Sequence, residues 1–575
     1  VALSPDGKVL ATGMDYGGDT VYLWDVATGK EIRQLKGHRY SVGAIAFSPD
    51  GRSLASGGGY GGVRIWDVAS GKQLAQARAH HMAVQTLAFS PDGKRLASGS
   101  MDATLGLWAT ADGKDLRPRQ GHTAAILALA LSPDGRRLAS ASWDRTARLW
   151  DAASGREIRV LRGHEQAVGG LSFSPGGKAL ATAGLDNTLR LWDPATGKPL
   201  RRPQQHDRSV LAVSFFPDGR TLAVGGDDQT LRLWRSDTGQ ELHRLKTGLL
   251  RLASMALSPD GKLLAAGDSN ATVVVWDTGT GKERYRQRVP DTHEVHVAFS
   301  PDGRLLAVGC GQGIHLWDAA TGQERGQLSG HEEMVTALAF SADGRVLASA
   351  GWDRTLRFWE LASRKERHRL RDARTRPLAL VLSADGRRCW SGGQDSTILA
   401  WDLLAAGGGS KPFDGEALWA DLGGADAGRA YRAVCLLATT PAKAVPLLRE
   451  KLPPAAEVDP KRLARLLKQL DDEQFPAREQ AERELAGLGE DVAPALRRAL
   501  ANDPSPEARR RLDRLLAALD GPTTSAGQLR LLRAVEALER MATPEARRLL
   551  AELAKGAPDA KLTREAKAAL RRNPA

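Results

Sequence analysis

Ten tryptophans recur along the chain at an almost constant interval, and this period constrains the fold more than any other feature of the sequence. Successive members are 42 residues apart, except for one step of 41. The ten residues are Trp24, Trp66, Trp108, Trp150, Trp192, Trp234, Trp276, Trp317, Trp359 and Trp401. A fixed period of this length indicates one supersecondary unit that is copied along the chain.

The content of one period predicts β-strands. A clear copy begins at Gly163-His164, continues with alternating apolar residues over 168–173 and turns at 174–177. A short apolar run, a second turn and a stretch ending in Trp192-Asp193 complete it. Period-2 alternation between turn residues is typical of strands. The more polar segment after each tryptophan predicts a fourth strand, so each copy is interpreted as one four-stranded blade of a β-propeller.

Three recurring motifs carry a family resemblance. A Gly-His pair, a Ser-Pro-Asp-Gly turn and a Trp-Asp end resemble the WD40 repeat, over residues 1 to about 403. The resemblance implies an all-β WD40 β-propeller with ten four-stranded blades. The order of blades followed by helices also looks like that of large bacterial multidomain WD40 proteins. Such relatives can carry a protein-kinase, sigma-factor-like or membrane-anchored segment ahead of the blades.

Four copies contain a His, a Ser or Thr, and an Asp, which are the residue types of a catalytic triad. In each copy the His precedes a Trp by 28 residues and the Asp precedes it by six. Because an enzyme needs one triad, four copies predict architecture and no catalytic residue. WD40 relatives use a buried hydrogen-bond chain of Trp, Ser or Thr, His and Asp, so the resemblance implies four structural tetrads. Their members are His80, Ser98, Asp102 and Trp108; His122, Ser140, Asp144 and Trp150; His164, Thr182, Asp186 and Trp192; and His331, Ser349, Asp353 and Trp359.

Other copies depart from this pattern. Val224 replaces the hydroxyl residue in the copy that contains His206. The copies that end at Trp276 and Trp317 lack the His, the hydroxyl and the Asp. We expect these two blades to be held mainly by apolar packing. Either one could be the place where the ring closes or where a partner docks.

Ten blades exceed the four to eight that propellers typically have. We expect a seven-bladed ring over 153–403, preceded by further blades over 1–152 that could belong to an upstream propeller. A single larger or open ring is the alternative. The first copy begins at Val1 without its Gly-His start, so it is interpreted as truncated and the chain as a fragment.

Beyond the blades the apolar period changes to about 3.6, which predicts helices. A Gly-rich linker is expected over 404–415 and an α-helical domain over 416–575. Two helix starts, at 505–507 and 543–545, combine an N-cap residue, a first-turn Pro and a Glu. The string Pro-Glu-Ala-Arg-Arg recurs at both starts and resembles HEAT-like repeats, with an irregular helical domain as the alternative. Predicted helices cover 461–470, 477–488, 492–501, 506–519, 529–541, 544–554 and 564–571.

The charge distribution limits the class of partner. The chain carries a net charge of +13, but the excess is spread along it. Nucleic-acid-binding proteins usually concentrate positive charge on one face, so nucleic acid is disfavoured as a partner. The densest basic stretch is interrupted by Glu366 and Asp372 and is interpreted as a solvated surface. It comprises Arg364, Lys365, Arg367, Arg369, Arg371, Arg374 and Arg376.

The cysteines and the remaining histidines predict no metal or cofactor site. The three cysteines have no CxxC spacing, which argues against a zinc site or a disulfide framework. His293 and His296 are close in sequence but lack a third ligand. No run of 18 apolar residues marks a membrane span. We therefore expect no cofactor, no metal and no membrane span in this chain, and a cytoplasmic location is favoured.

The residue before the tetrad Asp is predicted to lie at the rim of the central opening. In two copies this residue is Trp, followed two positions later by Arg. Trp beside Arg is typical of binding hot spots. We expect a partner-binding patch on this face; the alternative is that these residues only pack the loops. The candidate members are Trp143, Arg145, Trp352, Arg354, Met101 and Leu185.

Three functions are compatible with these patterns. The favoured one is a non-enzymatic protein–protein interaction scaffold, which binds peptides or proteins through the loop faces of the propeller and the helical repeats. The second is the regulatory or sensor region of a larger signalling protein, with a kinase or sigma-factor-like segment lost upstream. A propeller enzyme is the least favoured, because it would need a unique polar cluster in one blade and the sequence has none.

Overall fold

The computed structural model describes the chain except at residues 14–18, 39–40, 79, 81–82, 101–104, 114–120, 250, 290–293, 372–374, 408–412, 456–457, 520–521, 524 and 573–575. The described residues form two compact units, Val1–Ala124 and Ala125–Ala575. Ten antiparallel sheets account for the β-structure, and in each sheet the strands lie side by side in chain order. Eight sheets have four strands, whereas sheets 3 and 10 have three among the described residues.

The first unit contains sheets 1 to 3. Sheet 1 consists of β1 (Ala2–Leu3), β2 (Val9–Gly13), β3 (Thr20–Asp25) and β4 (Glu31–Lys36). Sheet 2 consists of β5 (Val42–Phe47), β6 (Ser53–Gly58), β7 (Gly62–Asp67) and β8 (Gln73–Arg78). Sheet 3 consists of β9 (Val84–Phe89), β10 (Arg95–Ser100) and β11 (Leu105–Ala109).

The second unit begins with sheets 4 to 7. Sheet 4 consists of β12 (Ile126–Leu131), β13 (Arg137–Ser142), β14 (Ala147–Asp151) and β15 (Glu157–Leu161). Sheet 5 consists of β16 (Val168–Phe173), β17 (Leu180–Gly184), β18 (Thr188–Trp192) and β19 (Gln204–Gln205). Sheet 6 consists of β20 (Val210–Phe215), β21 (Thr221–Gly226), β22 (Thr230–Arg235) and β23 (Glu241–Lys246). Sheet 7 consists of β24 (Leu252–Leu257), β25 (Leu263–Asp268), β26 (Thr272–Asp277) and β27 (Glu283–Arg288).

Three further sheets complete the β-structure of this unit. Sheet 8 consists of β28 (Val295–Phe299), β29 (Leu305–Cys310), β30 (Gly313–Asp318) and β31 (Glu324–Ser329). Sheet 9 consists of β32 (Val335–Phe340), β33 (Val346–Gly351), β34 (Thr355–Glu360) and β35 (Lys365–Arg371). Sheet 10 consists of β36 (Pro377–Leu382), β37 (Arg388–Gly393) and β38 (Ile398–Asp402).

Helices follow the last strand. They are α1 (Leu403–Gly407), α2 (Gly415–Leu422), α3 (Ala427–Thr439), α4 (Pro441–Lys451), α5 (Pro460–Gln469), α6 (Phe475–Leu488), α7 (Ala493–Ala501), α8 (Pro506–Leu519), α9 (Ala526–Met541), α10 (Pro544–Leu553) and α11 (Lys561–Arg572). The seven helices predicted from the 3.6 period are confirmed as α5 to α11. Both predicted caps form, because Ser505 Oγ accepts from the N–H of Ala508 at 3.1 Å and Thr543 Oγ1 accepts from that of Ala546 at 3.3 Å.

The recurring Ser-Pro-Asp-Gly motif fixes the hairpin between the first two strands of a sheet. Between β28 and β29, Ser300 Oγ donates to Asp302 Oδ1 at 2.6 Å and accepts from the N–H of Leu305 at 2.9 Å. The Asp302 carboxylate also accepts from the N–H of Arg304 at 3.1 Å. Gly303 has a φ of +70°, which a residue with a Cβ adopts only with strain. The motif therefore sets the register of the hairpin.

The seven sheets of the second unit follow one another around a ring. The first strand of each sheet packs against the first strand of the next, from β12 on β16 through to β32 on β36, and β36 packs in turn against β12. At this last junction Trp390 shares a buried cluster with Leu138 and Ala152. Arg388 Nη1 donates to the carbonyl of Ala152 at 3.3 Å. The ring therefore closes between sheets 4 and 10, and not at the sheets that end in Trp276 and Trp317.

The boundary expected at 152/153 falls inside sheet 4. It lies between β14 and β15, which are hydrogen-bonded neighbours. The second compact unit begins at Ala125, so sheet 4 lies with the six sheets that follow it, and three sheets precede it. The physical reason is that residues after each tryptophan supply the fourth strand of its sheet. A sequence repeat that ends at Trp-Asp is therefore displaced from a sheet by one strand.

The helices form two apolar cores. Side chains from α2, α3, α4, α9, α10 and α11 share one cluster, whereas α5 to α8 build a second. Because α9 packs along α3, the chain returns to its earlier helices after making α5 to α8. In a solenoid each repeat contacts only its neighbours in sequence. The return of α9 to α3 therefore differs from the stacking that HEAT-like repeats imply.

The helical region packs against the outer strand of sheet 9. α3 lies along β35, and Arg367 of β35 donates two hydrogen bonds to Glu536 of α9, at 3.1 and 2.7 Å. Arg533 of α9 makes an equivalent pair with Glu360 of β34, at 2.7 and 2.6 Å. All four side chains are buried. The interpretation of 364–376 as a solvated surface therefore does not hold for Arg367.

Candidate functional site

Sheet 9 brings one predicted tetrad together completely. His331 Nε2 and Ser349 Oγ are 2.7 Å apart, and Trp359 Nε1 donates to the same oxygen at 2.9 Å. His331 Nδ1 lies 2.9 Å from Asp353 Oδ2. Burial alone would raise the pKa of Asp353, but the hydrogen bonds from His331 and Thr355 hold it well below its usual range. The four side chains thus form a continuous hydrogen-bond chain from one strand to the loop before the sheet.

Sheet 5 repeats the same arrangement. His164 Nε2 lies 2.8 Å from Thr182 Oγ1, and Trp192 Nε1 donates to that oxygen at 2.8 Å. His164 Nδ1 lies 3.0 Å from both carboxylate oxygens of Asp186. Burial would raise the pKa of Asp186, but its hydrogen bonds outweigh this effect and lower it. The carboxylate is therefore held in its charged form, as the acceptor that orients the imidazole.

Sheet 3 shows the inner part of a tetrad. His80 Nε2 lies 2.7 Å from Ser98 Oγ, and Trp108 Nε1 donates to Ser98 Oγ at 2.8 Å. Asp102, the predicted fourth member, lies outside the described residues. The hydroxyl in this sheet thus accepts the same indole hydrogen bond as in sheets 5 and 9.

The predicted tetrad of sheet 4 occupies corresponding positions. Trp150 Nε1 donates to Ser140 Oγ at 2.8 Å, and His122 is buried. Asp144 accepts from the backbone N–H and the hydroxyl of Thr146, at 2.9 and 2.6 Å. Ser140 itself has no exposed surface. A buried hydroxyl of this kind cannot reach a substrate in solvent, which favours a structural role over nucleophilic catalysis.

Sequence reasoning missed an extension of the tetrad in sheet 9. Thr355 Oγ1 donates to Asp353 Oδ1 at 2.7 Å and accepts from Arg357 Nε at 3.2 Å. Arg357 Nη1 in turn donates to Glu366 Oε2 at 2.7 Å. Arg357 is 1% exposed, so the network ties the outer strand β35 to the tetrad. A sequence signal existed, because Arg also stands two residues before Trp66, Trp150, Trp192 and Trp234.

Sheet 6 has a gap in its network where Val224 replaces the hydroxyl. Among the described residues, His206 Nε2 and Trp234 Nε1 are buried and have no hydrogen-bond partner. The two rings nevertheless pack with their centroids 5.4 Å apart. Burial, together with the positive charge of Arg232, lowers the pKa of His206 from 6.5 to about 4.

This shift predicts that sheet 6 makes the protein sensitive to mild acid. The unfolded chain takes up a proton on this histidine near pH 6.5, but the folded chain does so only near pH 4. The unfolded state therefore binds more protons in this window, and stability falls as the pH falls. We expect His206 to account for a loss of about 2 kcal/mol between pH 7 and pH 5. Urea unfolding of the wild type and of His206→Leu across this range measures it, and equal pH slopes would contradict the assignment.

Two exposed tryptophans lie at equivalent turns of the ring. Trp143 lies between β13 and β14 of sheet 4, and Trp352 lies between β33 and β34 of sheet 9. Their exposed fractions are 53% and 38%, which are large for indole side chains. The turns hold them by backbone hydrogen bonds, since the N–H of Trp352 donates to the carbonyl of Met334 at 2.8 Å. Equivalent turns of a propeller open on the same face, so both indoles lie on one face of the ring.

The other predicted members of the patch differ in how exposed they are. Arg145 and Arg354 are exposed and have φ values of 68° and 60°, the left-handed conformation that the last residue of a three-residue hairpin loop adopts. Leu185 occupies the corresponding turn of sheet 5 and is half-buried. Met101 lies outside the described residues. The structure thus places both tryptophans and both arginines at the surface of one face.

A cleft of about 640 Å³ opens beside Trp352, between sheets 8 and 9. Glu332, Glu333 and Met334 line it together with this indole, and Gln312 borders it from sheet 8. The Gln312 amide donates to the carbonyl of Glu332 at 2.8 Å. The two glutamates were not expected from the sequence, because they lie in a loop whose residues vary from copy to copy. Sheet 8 contains Trp317, which ends one of the two copies that lack the His, the hydroxyl and the Asp together.

The described residues contain no metal-binding cluster, no disulfide bond and no membrane-spanning helix. No group of three or more His, Cys, Asp or Glu side chains in these residues is arranged to hold a metal ion. His296 is described, but His293 lies outside the described residues. Cys310, Cys389 and Cys435 are buried and form no disulfide bond with one another. None of the described helices has both the length and the apolar character needed to cross a membrane.

The radial sheets and their tryptophan-centred hydrogen bonds define a WD40 β-propeller. The WD40 family (WD domain, G-beta repeat) matches residues 29–67, 71–109 and 113–151. More particularly, residues 170–419 match the family described as IFT122 first beta-propeller, which covers most of the ring from β16 onward. No curated protein matches the chain.

Proposed function

We propose that this chain is a non-enzymatic interaction scaffold that binds a peptide or protein on the face carrying Trp143 and Trp352. The observation that carries the proposal is the exposure of both indoles at equivalent turns. Propellers of the WD40 class generally mediate protein–protein interactions, which supports this assignment. The burial of the tetrad hydroxyls supports it too, because it leaves the face without an accessible nucleophile of that set.

The energetics of exposed indoles favour a partner at this face. A tryptophan side chain that leaves water on binding releases a large apolar area, and such residues dominate binding free energies at protein interfaces. The turns around Trp143 and Trp352 are fixed by hydrogen bonds, so little conformational entropy is lost when a partner docks. A rigid apolar anchor beside a cleft is the arrangement that peptide recognition uses.

The helical region supplies a second surface for the same scaffold function. Phe475 at the start of α6 is 56% exposed. The guanidinium carbons of Arg478 and Arg511 lie 5.6 and 5.7 Å from its ring centroid. An apolar ring flanked by arginines is typical of a protein-binding surface. We assign this surface a supporting role, because α5 to α8 form a core of their own.

The proposal predicts that removing both indoles abolishes partner capture. The double variant Trp143→Ala/Trp352→Ala should recover at least about tenfold less of the partners that the wild type captures from a lysate of the source cells. Quantitative mass spectrometry of the captured proteins measures the change. The matched control is Leu242→Ala, since Leu242 is 39% exposed but lies on the outer strand β23.

Circular dichroism should show that both variants fold like the wild type, because the replaced side chains make few buried contacts. Recovery of the same partners in equal yield from the wild type and the double variant would contradict the proposal. Equal losses with Leu242→Ala would also contradict it, because binding would then not depend on this face.

A further inference from the structure

The cleft beside Trp352 combines an aromatic ring with negative charge. The Glu332 and Glu333 side chains are exposed at its edge, and Met334 contributes an apolar side chain. An indole is the strongest aromatic partner for a cation, and nearby carboxylates add a direct electrostatic attraction. The cleft is thus suited to a positively charged and partly apolar side chain.

The chain itself places a cation on this ring. The guanidinium carbon of Arg376, which precedes β36, lies 4.8 Å from the centroid of the Trp352 ring. Arg376 Nη2 also lies 3.9 Å from Glu333 Oε2. Its side chain is 42% exposed, so solvent still reaches it. The position of Arg376 therefore shows that the Trp352 ring and the Glu333 carboxylate can bind a guanidinium group. Arg376 itself lies at the edge of the cleft.

We propose that the cleft binds an arginine side chain in a peptide segment of the partner, and that Arg376 competes with it for Trp352. The inference rests on the proposed function of this face and adds the chemistry of the partner. A planar guanidinium stacks on an indole and pairs with a carboxylate at the same time, which an ammonium does less well. Glu332 and Glu333 supply the carboxylates.

The competition has a measurable consequence. A partner arginine must displace Arg376 from the ring or share the ring with it. Because an exposed cation–π contact is weak, Arg376→Ala should tighten binding by about two- to fivefold. Trp352→Ala should weaken it by about tenfold or more, and Glu332→Gln/Glu333→Gln should weaken it in a salt-dependent way.

A phage-displayed library of random dodecapeptides, selected on the full chain, tests the proposal. We expect the enriched peptides to contain arginine, and to lose enrichment when the selection uses Trp352→Ala. Titration of the leading peptide, followed by fluorescence anisotropy, then gives the dissociation constant for each variant. The matched control is Glu283→Gln, because Glu283 is a partly exposed carboxylate on the outer strand β27 and pairs with Arg286.

Enrichment of peptides without arginine, or no enrichment above the Trp352→Ala selection, would overturn the inference. Arginine peptides that bind Glu332→Gln/Glu333→Gln and Glu283→Gln equally well would overturn it too. These failures are distinct from failure of the proposed function. If partner capture still depends on Trp143 and Trp352 while arginine plays no part, the face remains a docking surface for a partner of different chemistry.

Discussion

Replacement of Glu536 by alanine should lower the free energy of unfolding of the second unit by about 3–5 kcal/mol. Glu536 accepts two hydrogen bonds from Arg367, and its Oε1 lies 2.9 Å from Arg540 Nη2. The exposed fractions of Arg367, Glu536 and Arg540 are 4%, 3% and 6%. Removing the carboxylate leaves two positive charges buried without their common partner. Removing one partner of a buried ion pair destabilises a protein strongly, because the remaining charges stay buried.

The surroundings of Glu536 explain why no local adjustment can absorb this loss. Burial alone would raise its pKa, but Arg367 and Arg540 lower it to about 2, so the carboxylate is charged throughout the physiological range. The guanidinium carbon of Arg367 lies 4.2 Å from the Tyr431 ring centroid, which restricts movement of the arginine toward solvent. The destabilisation should therefore appear at the contact between β35 and α9.

Urea unfolding followed by tryptophan fluorescence and by ellipticity at 222 nm measures this change. The matched control is Glu552→Ala, which removes an ion pair of the same residue types. Glu552 and Arg449 are 48% and 53% exposed, so this change should cost about 0–1 kcal/mol. If the two variants unfold with the same midpoint, the Arg367–Glu536 pair does not stabilise the docking of the helical region.

The strands and their polar links could be predicted because they depend on local pattern. A 42-residue period places Trp359 at a fixed distance from Ser349 and His331, and the same hydrogen bonds then form in each copy. Turn residues such as Gly303 mark the hairpins for the same reason. The three-dimensional structure of each sheet could be predicted from one copy, because the other copies repeat the same residue types at the same spacing.

The start of the ring could not be predicted, because it is set by contacts between distant segments. β36 packs on β12 although nearly the whole ring separates them in sequence. Every copy carries similar apolar residues on its inner strand, so the sequence does not distinguish a neighbour in an array from the sheet that closes a ring. The predicted domain boundary at 152/153 coincides with the end of a sequence repeat, whereas the boundary in the structure lies between two sheets.

The packing of the helices against sheet 9 could not be predicted either, because its contacts join residues that are distant in the sequence. Arg367 lies in a stretch rich in Arg and Lys, which predicts a solvated surface in any sequence-based reading. Its partner, Glu536, lies 169 residues further along the chain. The contact of Arg376 with Glu333 beside the Trp352 cleft could not be predicted for the same reason, because the two residues belong to different sheets. Pairs of this kind have no signal in spacing or periodicity.

Val224→Thr should raise the free energy of unfolding by about 1–3 kcal/mol, an unusual outcome for a polar substitution at a fully buried position. Val224 is 1% exposed and stands in β21 where sheet 5 has Thr182 in β17. Thr182 Oγ1 lies 2.8 Å from both His164 Nε2 and Trp192 Nε1. A threonine at 224 would present its hydroxyl to His206 and Trp234 in the same geometry.

The energetic reason is that sheet 6 already carries the cost of two unpartnered polar groups. The Nε2 of His206 and the Nε1 of Trp234 are buried without hydrogen bonds among the described residues. Threonine and valine are both β-branched, and the hydroxyl takes the place of a methyl group, so the change adds a partner for both groups without enlarging the core. The reciprocal change, Thr182→Val, should create the same defect in sheet 5 and cost about 2–4 kcal/mol.

Denaturant unfolding of the two variants and of Val295→Thr tests this argument. Val295 is fully buried in an apolar cluster with Val308 and Phe299, so a hydroxyl placed there would be surrounded mainly by apolar side chains. That control should lose about 1–3 kcal/mol. If Val224→Thr is the only one of the three variants that is more stable than the wild type, the His–hydroxyl–Trp link itself stabilises each sheet. If Val224→Thr destabilises as much as Val295→Thr, the hydroxyl does not complete the link, and the tetrads cannot be treated as interchangeable units of the ring.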